Sequence, residues 1–310
     1  HLEQWQLAWH YGPPELWRNV RLIRPAAAVW SLMFMGATIL LGALRWRMVL
    51  RVHGIGLSLG RTAQISLVAH FFNSFLLGST GGDLMKAYYA ARETRNRKTE
   101  AVVTVLVDRL IGLLAMLIFA AVMMFPNWAL LAAHRRLAAL ASVVGIMLFA
   151  ALAVAGVSFW GGLSRRWPHA RDWLRRLPKG QQLERALEAC RQFGQAPRCL
   201  AEAFALSMVL NVMCVLQIWV LARGLDLPIQ PIALSLIVPV IICIAAIPIT
   251  PSGLGLRENI YVWMLAVPEI NIPATQALLL SLLAYAGSLF WSLVGGLVYL
   301  FFRASGTEKT

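Results

Sequence analysis

Apolar and polar positions along this chain fall into long blocks rather than the alternating stride of a half-buried strand. The first block, Pro25 to Leu44, is long enough to cross about 30 Å of hydrocarbon as a helix. Ala101 to Phe125, Leu137 to Trp160, Leu200 to Ala222 and Ala274 to Phe302 repeat the pattern. Two further blocks are interrupted. Thr62 to Gly78 carries His70, Asn73 and Ser74, breaks at Gly78-Ser79-Thr80-Gly81-Gly82-Asp83 and resumes as Leu84 to Ala91. Ile232 to Ile247 breaks from Pro248 to Glu258 and resumes as Asn259 to Val267.

Charge orients these blocks. Arg45, Arg47, Arg51 and Arg61 follow the first span with no acid between them, which puts that loop in the cytoplasm. Residues 161–198 hold nine Lys/Arg against Asp172, Glu184 and Glu188, a second cytoplasmic mark. If 62–92 crossed fully, Lys86, Arg92, Arg95, Arg97 and Lys98 would lie outside, against the charge rule. A re-entrant hairpin over 62–92 removes the conflict, because irregular backbone at membrane depth survives where protein or a watery cavity satisfies it. The second interrupted stretch, 232–267, has Asp226 and Glu269 at its flanks and no basic cluster, so it enters from outside. Span, hairpin and span over 25–125 are then matched in reverse by span, hairpin and span over 200–302. The expected fold class is an all-α integral membrane protein, a polytopic helical bundle with two oppositely oriented re-entrant hairpins and an inverted repeat. The remaining divisions are an interfacial segment at 1–24, a transmembrane domain at 25–302, an extra span at 137–160, the basic loop at 161–198 and a cytoplasmic tail at 303–310.

Composition agrees with this class. Hydrophobic residues make up 59% and charged residues 14%, and the mean hydropathy is +0.67. The 28 Lys+Arg against 14 Asp+Glu give a net charge of +14, which in a membrane protein faces anionic headgroups, so no nucleic-acid partner is expected. Cys190, Cys199, Cys214 and Cys243 form no C-x-x-C pair and lie near no histidine at metal-ligand spacing. No metal site and no cofactor are expected. The chain opens at His1 rather than Met, so an upstream helix belongs to the range of expectations.

Candidate chemistry lies at the breaks. Gly81, Gly82, Gly253 and Gly255, with Thr250, free backbone N–H groups that suit a phosphate or carboxylate, although glycines also serve tight turns and close packing. Charges at membrane depth point to function with a named partner. Arg257 beside Glu258 at the second break is the candidate phosphate ligand, since a guanidinium matches a pair of phosphate oxygens. Asp83 and Lys86 flank the first break, and Asp108 and Arg109 lie within the third element. Glu258 or Asp83 would be where a proton is taken up. The competing structural reading makes Asp108, Arg109, Arg257 and Glu258 members of ion pairs that hold the hairpins. Arg45–Trp46 has the character of an interfacial anchor whose cation also attracts lipid phosphate. His70 and Asn73 share a helical face and suit hydrogen bonds within the hairpin. No nucleophile elbow, P-loop or zincin motif occurs, so no catalytic residue is nominated.

Five motifs in order carry a resemblance. They are Leu44-Arg45-Trp46, Phe71 to Phe75, Gly81-Gly82-Asp83-Leu84-Met85-Lys86-Ala87-Tyr88, Val107-Asp108-Arg109-Leu110-Ile111-Gly112, and Pro248 to Glu258. Together they resemble the lysylphosphatidylglycerol synthase transmembrane-domain family, also called flippase-like domain proteins. The family pattern has Pro-Gly where this chain has Leu77-Gly78-Ser79-Thr80, and Pro-Gly-Gly where it has Pro251-Ser252-Gly253, while the charged positions are intact. The resemblance implies a multi-pass inner-membrane protein that moves a lipid with an anionic or modified headgroup, or one linked to polyprenyl phosphate, between leaflets. It also implies that any headgroup synthesis comes from a separate lipid-modifying synthase. A membrane-embedded enzyme and an accessory subunit that recruits a synthase are the alternative readings. The enzyme would need clustered carboxylates or a nucleophile–base pair, where the sequence offers Asp83, Asp108 and Glu258 from three segments.

Overall fold

The computed structural model describes residues 23–75, 81–94, 97–160, 193–245, 253 and 255–302. Among them the chain is helical throughout, with no strand. Helices α1 (Pro25–Val52), α4 (Lys98–Met124), α7 (Pro197–Gly224) and α10 (Ala274–Phe301) are each long and apolar enough to cross a membrane. Between them lie α2 (Leu59–Phe75), α3 (Gly81–Glu93), α5 (Trp128–Ala133), α6 (Arg135–Trp160), α8 (Pro231–Ala245) and α9 (Leu256–Leu265). Residues 1–22 of the interfacial segment expected at 1–24, most of the basic loop at 161–198, the tip of each interrupted stretch, Thr250 and the tail at 303–310 lie outside the described residues.

Local chemistry sets several boundaries. Pro25 and Pro197 start α1 and α7, where a missing N–H costs nothing. Helix α9 starts at Leu256, three residues before the expected resumption, because Gly255 caps it. Gly255 takes φ +80°, and its N–H donates to Glu258 Oε2 at 2.6 Å. The largest difference is in α1, expected to end at Leu44 and observed to run to Val52. Its extra two turns carry Arg45 and Trp46 into the bundle, where both find partners, so they are not an interfacial anchor.

Side-chain bonds identify the two ends of the bundle. At one end the Arg24 guanidinium donates to Asp226 Oδ1, Asn127 Nδ2 donates to Ile232 O, and His134 meets Glu269 at 2.5 Å. At the other, Arg61 pairs with Glu93, Arg97 donates to His53 O, and the Arg61 guanidinium lies over the Phe302 ring. The start of α2 and the end of α3 therefore meet at the same end. At 17 and 13 residues, α2 and α3 span only about 25 and 20 Å at 1.5 Å per residue.

The helices pack in a recurring scheme. The most extensive contact joins α1 to α7. Helix α2 packs on α3, and α8 packs on α9. Helix α4 covers α3 and also reaches α8, while α10 covers α9 and also reaches α2. Exchanging α1–α4 for α7–α10 maps each of these contacts onto another, and α5 and α6 stand outside the exchange.

In hydrocarbon the helices gain little by hiding apolar surface, and close backbone approach has to hold them. Helix α2 is pressed from two sides in this way. A Cβ at Gly82 of α3 would lie 2.1 Å from Ala69 O, and one at Gly295 of α10 would lie 2.1 Å from Leu67 O. Gly295→Val is expected to cost about 1–3 kcal/mol, the range for overpacking, and to lower the thermal midpoint in detergent. Gly145→Val, where no atom lies within 4 Å of the new Cβ, is expected to leave the midpoint unchanged.

The His134–Glu269 pair also makes a pH-dependent contribution. The hydrogen bond from His134 holds the Glu269 carboxyl below the ordinary glutamate range. A depressed folded value stabilises above the unfolded value and loses its effect as pH falls through the folded one. The difference in thermal midpoint between wild type and Glu269→Gln should therefore shrink as pH falls through and below the usual glutamate range. A difference that stays constant across that range would contradict the assignment.

Candidate functional site

The site begins with a charged residue on α1 that is carried into the helix bundle. Arg45 is the first residue of the stretch where α1 outlasts its expected end, and its side chain is mostly buried. Its Nε donates to Asp108 Oδ1 at 2.8 Å, and one terminal nitrogen donates to Ser207 Oγ at 2.9 Å. The other Asp108 oxygen accepts from Lys86 Nζ at 3.0 Å. One carboxylate on α4 thus holds cations from α1 and α3 together. The Lys86 ammonium also lies 4.4 Å from the centre of the Trp46 ring, a cation–π contact. Trp46, fully buried, is fixed by its Nε1–H donating to Thr104 Oγ1 at 3.3 Å.

Glycine makes the arrangement possible. Gly112 stands one turn after Asp108 on α4, and a Cβ there would come within 2.8 Å of the Arg45 guanidinium. Beside this group, Arg109 pairs with Asp83 at the start of α3. The Gly82 N–H donates to Asn73 Oδ1 at 2.8 Å, tying the start of α3 to the last turn of α2. His70 points instead to α10, with Nε2 3.2 Å from Ser288 O.

These groups line a cavity of about 650 Å³ between α1, α2, α3, α4, α6 and α7. Its lining has a gradient. Arg45, Asp83, Lys86, Asp108 and Arg109 lie toward the end where α2 begins, while Ile39, Leu113, Met116, Met147 and Leu210 line the deeper part. Three cations face two carboxylates, so the lining is net positive. Ser66 Oγ, also in the lining, is buried without a hydrogen-bond partner among the described residues. The volume is that of a pocket for a small ligand or a headgroup with part of its chains.

The second candidate group forms a separate unit. Arg257 pairs with Glu258 at 2.5 Å, donates to Ser281 Oγ at 3.3 Å and stacks 4.8 Å from the Tyr285 ring centre. Gly253 and Gly255 both have positive φ, as a tight turn ahead of α9 requires. Arg257 and Glu258 do not line the 650 Å³ cavity, which contains no residue beyond Asn211. The cations that line this cavity are Arg45, Lys86 and Arg109, while α9, which carries Arg257, packs on α8 and α10. Asp108 and Arg109, neighbours in sequence, turn to different partners.

Several residues that complete the site were not singled out from the sequence. Ser207 and Asn211 lie one turn apart on α7, and Ser281 and Tyr285 one turn apart on α10. Polar residues at that spacing inside an apolar helix are the signal that could have found them. Gly112, one turn from an intramembrane acid, is another such signal.

Helices that cross a membrane around a charged, partly apolar cavity define a polytopic all-α membrane protein. The family model described as lysylphosphatidylglycerol synthase TM region matches residues 4–296, and the chain belongs to that family. A comparison with curated proteins finds no match.

Removing Asp108 tests the ion cluster. Asp108→Asn leaves two buried cations facing each other, and breaking a buried pair this way costs about 3–5 kcal/mol. The double variant Asp108→Asn with Lys86→Met is expected to recover part of the lost thermal stability. A double variant no more stable than the single one would show that Lys86 and Asp108 are not coupled.

Proposed function

We propose that this protein is a lipid translocase that moves an anionic or modified phospholipid, or a polyprenyl-phosphate-linked lipid, between the leaflets of the inner membrane. The observation that carries the reading is the net-positive, amphipathic cavity around Asp108. A phosphate can be taken up beside Arg45 and Lys86, because their shared carboxylate neutralises only one of the two charges. The apolar wall at Met116, Met147 and Leu210 suits the first carbons of the acyl or prenyl chains. Ser66 supplies a hydroxyl that needs a hydrogen-bond partner.

We read the exchange of helix contacts between α1–α4 and α7–α10 as an inverted repeat, with α2–α3 and α8–α9 as its two re-entrant hairpins. In this reading Asp83–Arg109 and Glu258–Arg257 are corresponding acid–arginine pairs, since Asp83 and Glu258 are each the third residue of a returning helix. The protein makes and breaks no covalent bond in this scheme. In this scheme the headgroup is finished by a separate synthase, a reading that the family's description supports.

The test is headgroup accessibility of fluorescent phosphatidylglycerol and of a polyprenyl phosphate in proteoliposomes, with and without a pH gradient. Arg45→Gln and Lys86→Met should each slow transbilayer movement about tenfold or more, equivalent to roughly 1.4 kcal/mol at the phosphate. Wild-type rates equal to those of protein-free vesicles for both lipids would overturn the translocase reading.

A further inference from the structure

A second opening lies at the end of the bundle that holds the α5–α6 turn. It has a volume of about 770 Å³ and shares no lining residue with the cavity around Asp108. Residues Ala133 to Leu140 form one wall and Val262 to Pro268 the other. The flanking helices α6 and α9 each pack closely on α8, and no comparable packing joins them to one another. The pair His134–Glu269 crosses between the two walls at the bundle end. Beneath that tie the slot is apolar, with Leu137, Leu140, Val262 and Trp263 along it.

Three observations identify what fills it. First, the slot is lined mainly by apolar side chains, and atoms facing a void lose their dispersion contacts, so chain-like apolar matter is the natural filling. Second, its lining contains two basic side chains, His134 and the exposed Arg135, and no acid. The acid nearby, Glu269, is engaged by His134 and is not part of the wall. A basic mouth above an apolar slot complements a phosphate above an acyl chain. Third, Trp263 is 53% exposed one turn from the end of α9, the level at which an indole sits between headgroups and chains.

We propose that the slot between α6 and α9 binds one anionic membrane phospholipid. Its phosphate lies against Arg135, and one acyl chain runs along Leu137, Leu140, Val262 and Trp263. This lipid is held rather than carried, and it supplies the packing that α6 and α9 do not give each other. The site is independent of the translocation reading, because none of its residues touches the Asp108 cluster.

Native mass spectrometry in mild detergent, with phosphatidylglycerol or phosphatidylcholine added, tests the proposal. Wild type should retain one phosphatidylglycerol in preference to phosphatidylcholine by about tenfold. Arg135→Gln should remove that preference. Ala139→Trp, which fills the slot from an exposed position, should remove the adduct, and Arg45→Gln in the other cavity should keep it. An adduct unchanged by Ala139→Trp, or one lost with Arg45→Gln alone, would place the lipid elsewhere and overturn the proposal. A lipid-free dimer whose interface covers α6 and α9 would also overturn it, by making a second copy the occupant. Crosslinking wild type with a diazirine-tailed phosphatidylglycerol needs no substitution in the slot. Label on peptides spanning Leu137–Leu140 and Val262–Trp263 supports the site, and label confined to other helices rejects it.

Discussion

A carboxylate buried inside the helix bundle organises the first half of this protein. Asp108 sits inside a membrane-crossing helix, where an unpaired charge is among the costliest things a chain can carry. It therefore needs cations, and the fold brings one from α1 and one from α3. That requirement explains why α1 continues past its apolar run and why Gly112 has no side chain. It also explains why Trp46 is buried under Lys86 rather than resting at the membrane surface. Because two cations share one acid, satisfying Asp108 leaves positive charge over, and the cavity inherits it.

The second half solves the same problem locally. Glu258 engages Arg257 and the capping N–H of Gly255, and the group leans on Ser281 and Tyr285 of the neighbouring span. No cation from a distant helix is needed, and no charged residue of this half lines the large cavity. The two halves thus share a scheme of helix contacts while differing in what they do with their charges. The difference matters for the proposed translocation, because it gives the cavity one charged end and one apolar end rather than two equivalent tips.

Much of this was legible from the sequence. The span limits followed from hydropathy, and the two interruptions followed from glycine and proline at the breaks. Charge placement suggested a hairpin over 62–92 with both ends on one side, and the Arg61–Glu93 bond joins the start of α2 to the end of α3. Partner choice was not legible. Arg45 belongs chemically with any surface anchor, and its burial depends on Asp108 lying 63 residues away. Asp108 and Arg109 were legible as members of ion pairs that hold the hairpin, but the sequence did not say that Asp108 takes Arg45 and Lys86 while Arg109 takes Asp83. Ser207 and Asn211 escaped notice because a hydroxyl or amide within an apolar run carries little signal until a guanidinium faces it.

The glycine contacts on α2 have a mechanical meaning. At Leu67 and Ala69 the backbones of α10 and α3 press on the same short stretch of α2, with no side chain between them to change rotamer. Such a joint has no slack, so α2, α3 and α10 turn as a single block. The compliance of the molecule is then found elsewhere, along the seam where Arg45, Lys86 and Asp108 meet. In the proposed translocation, ion pairs there exchange partners for a phosphate while the backbone contacts of the glycine joint stay as they are.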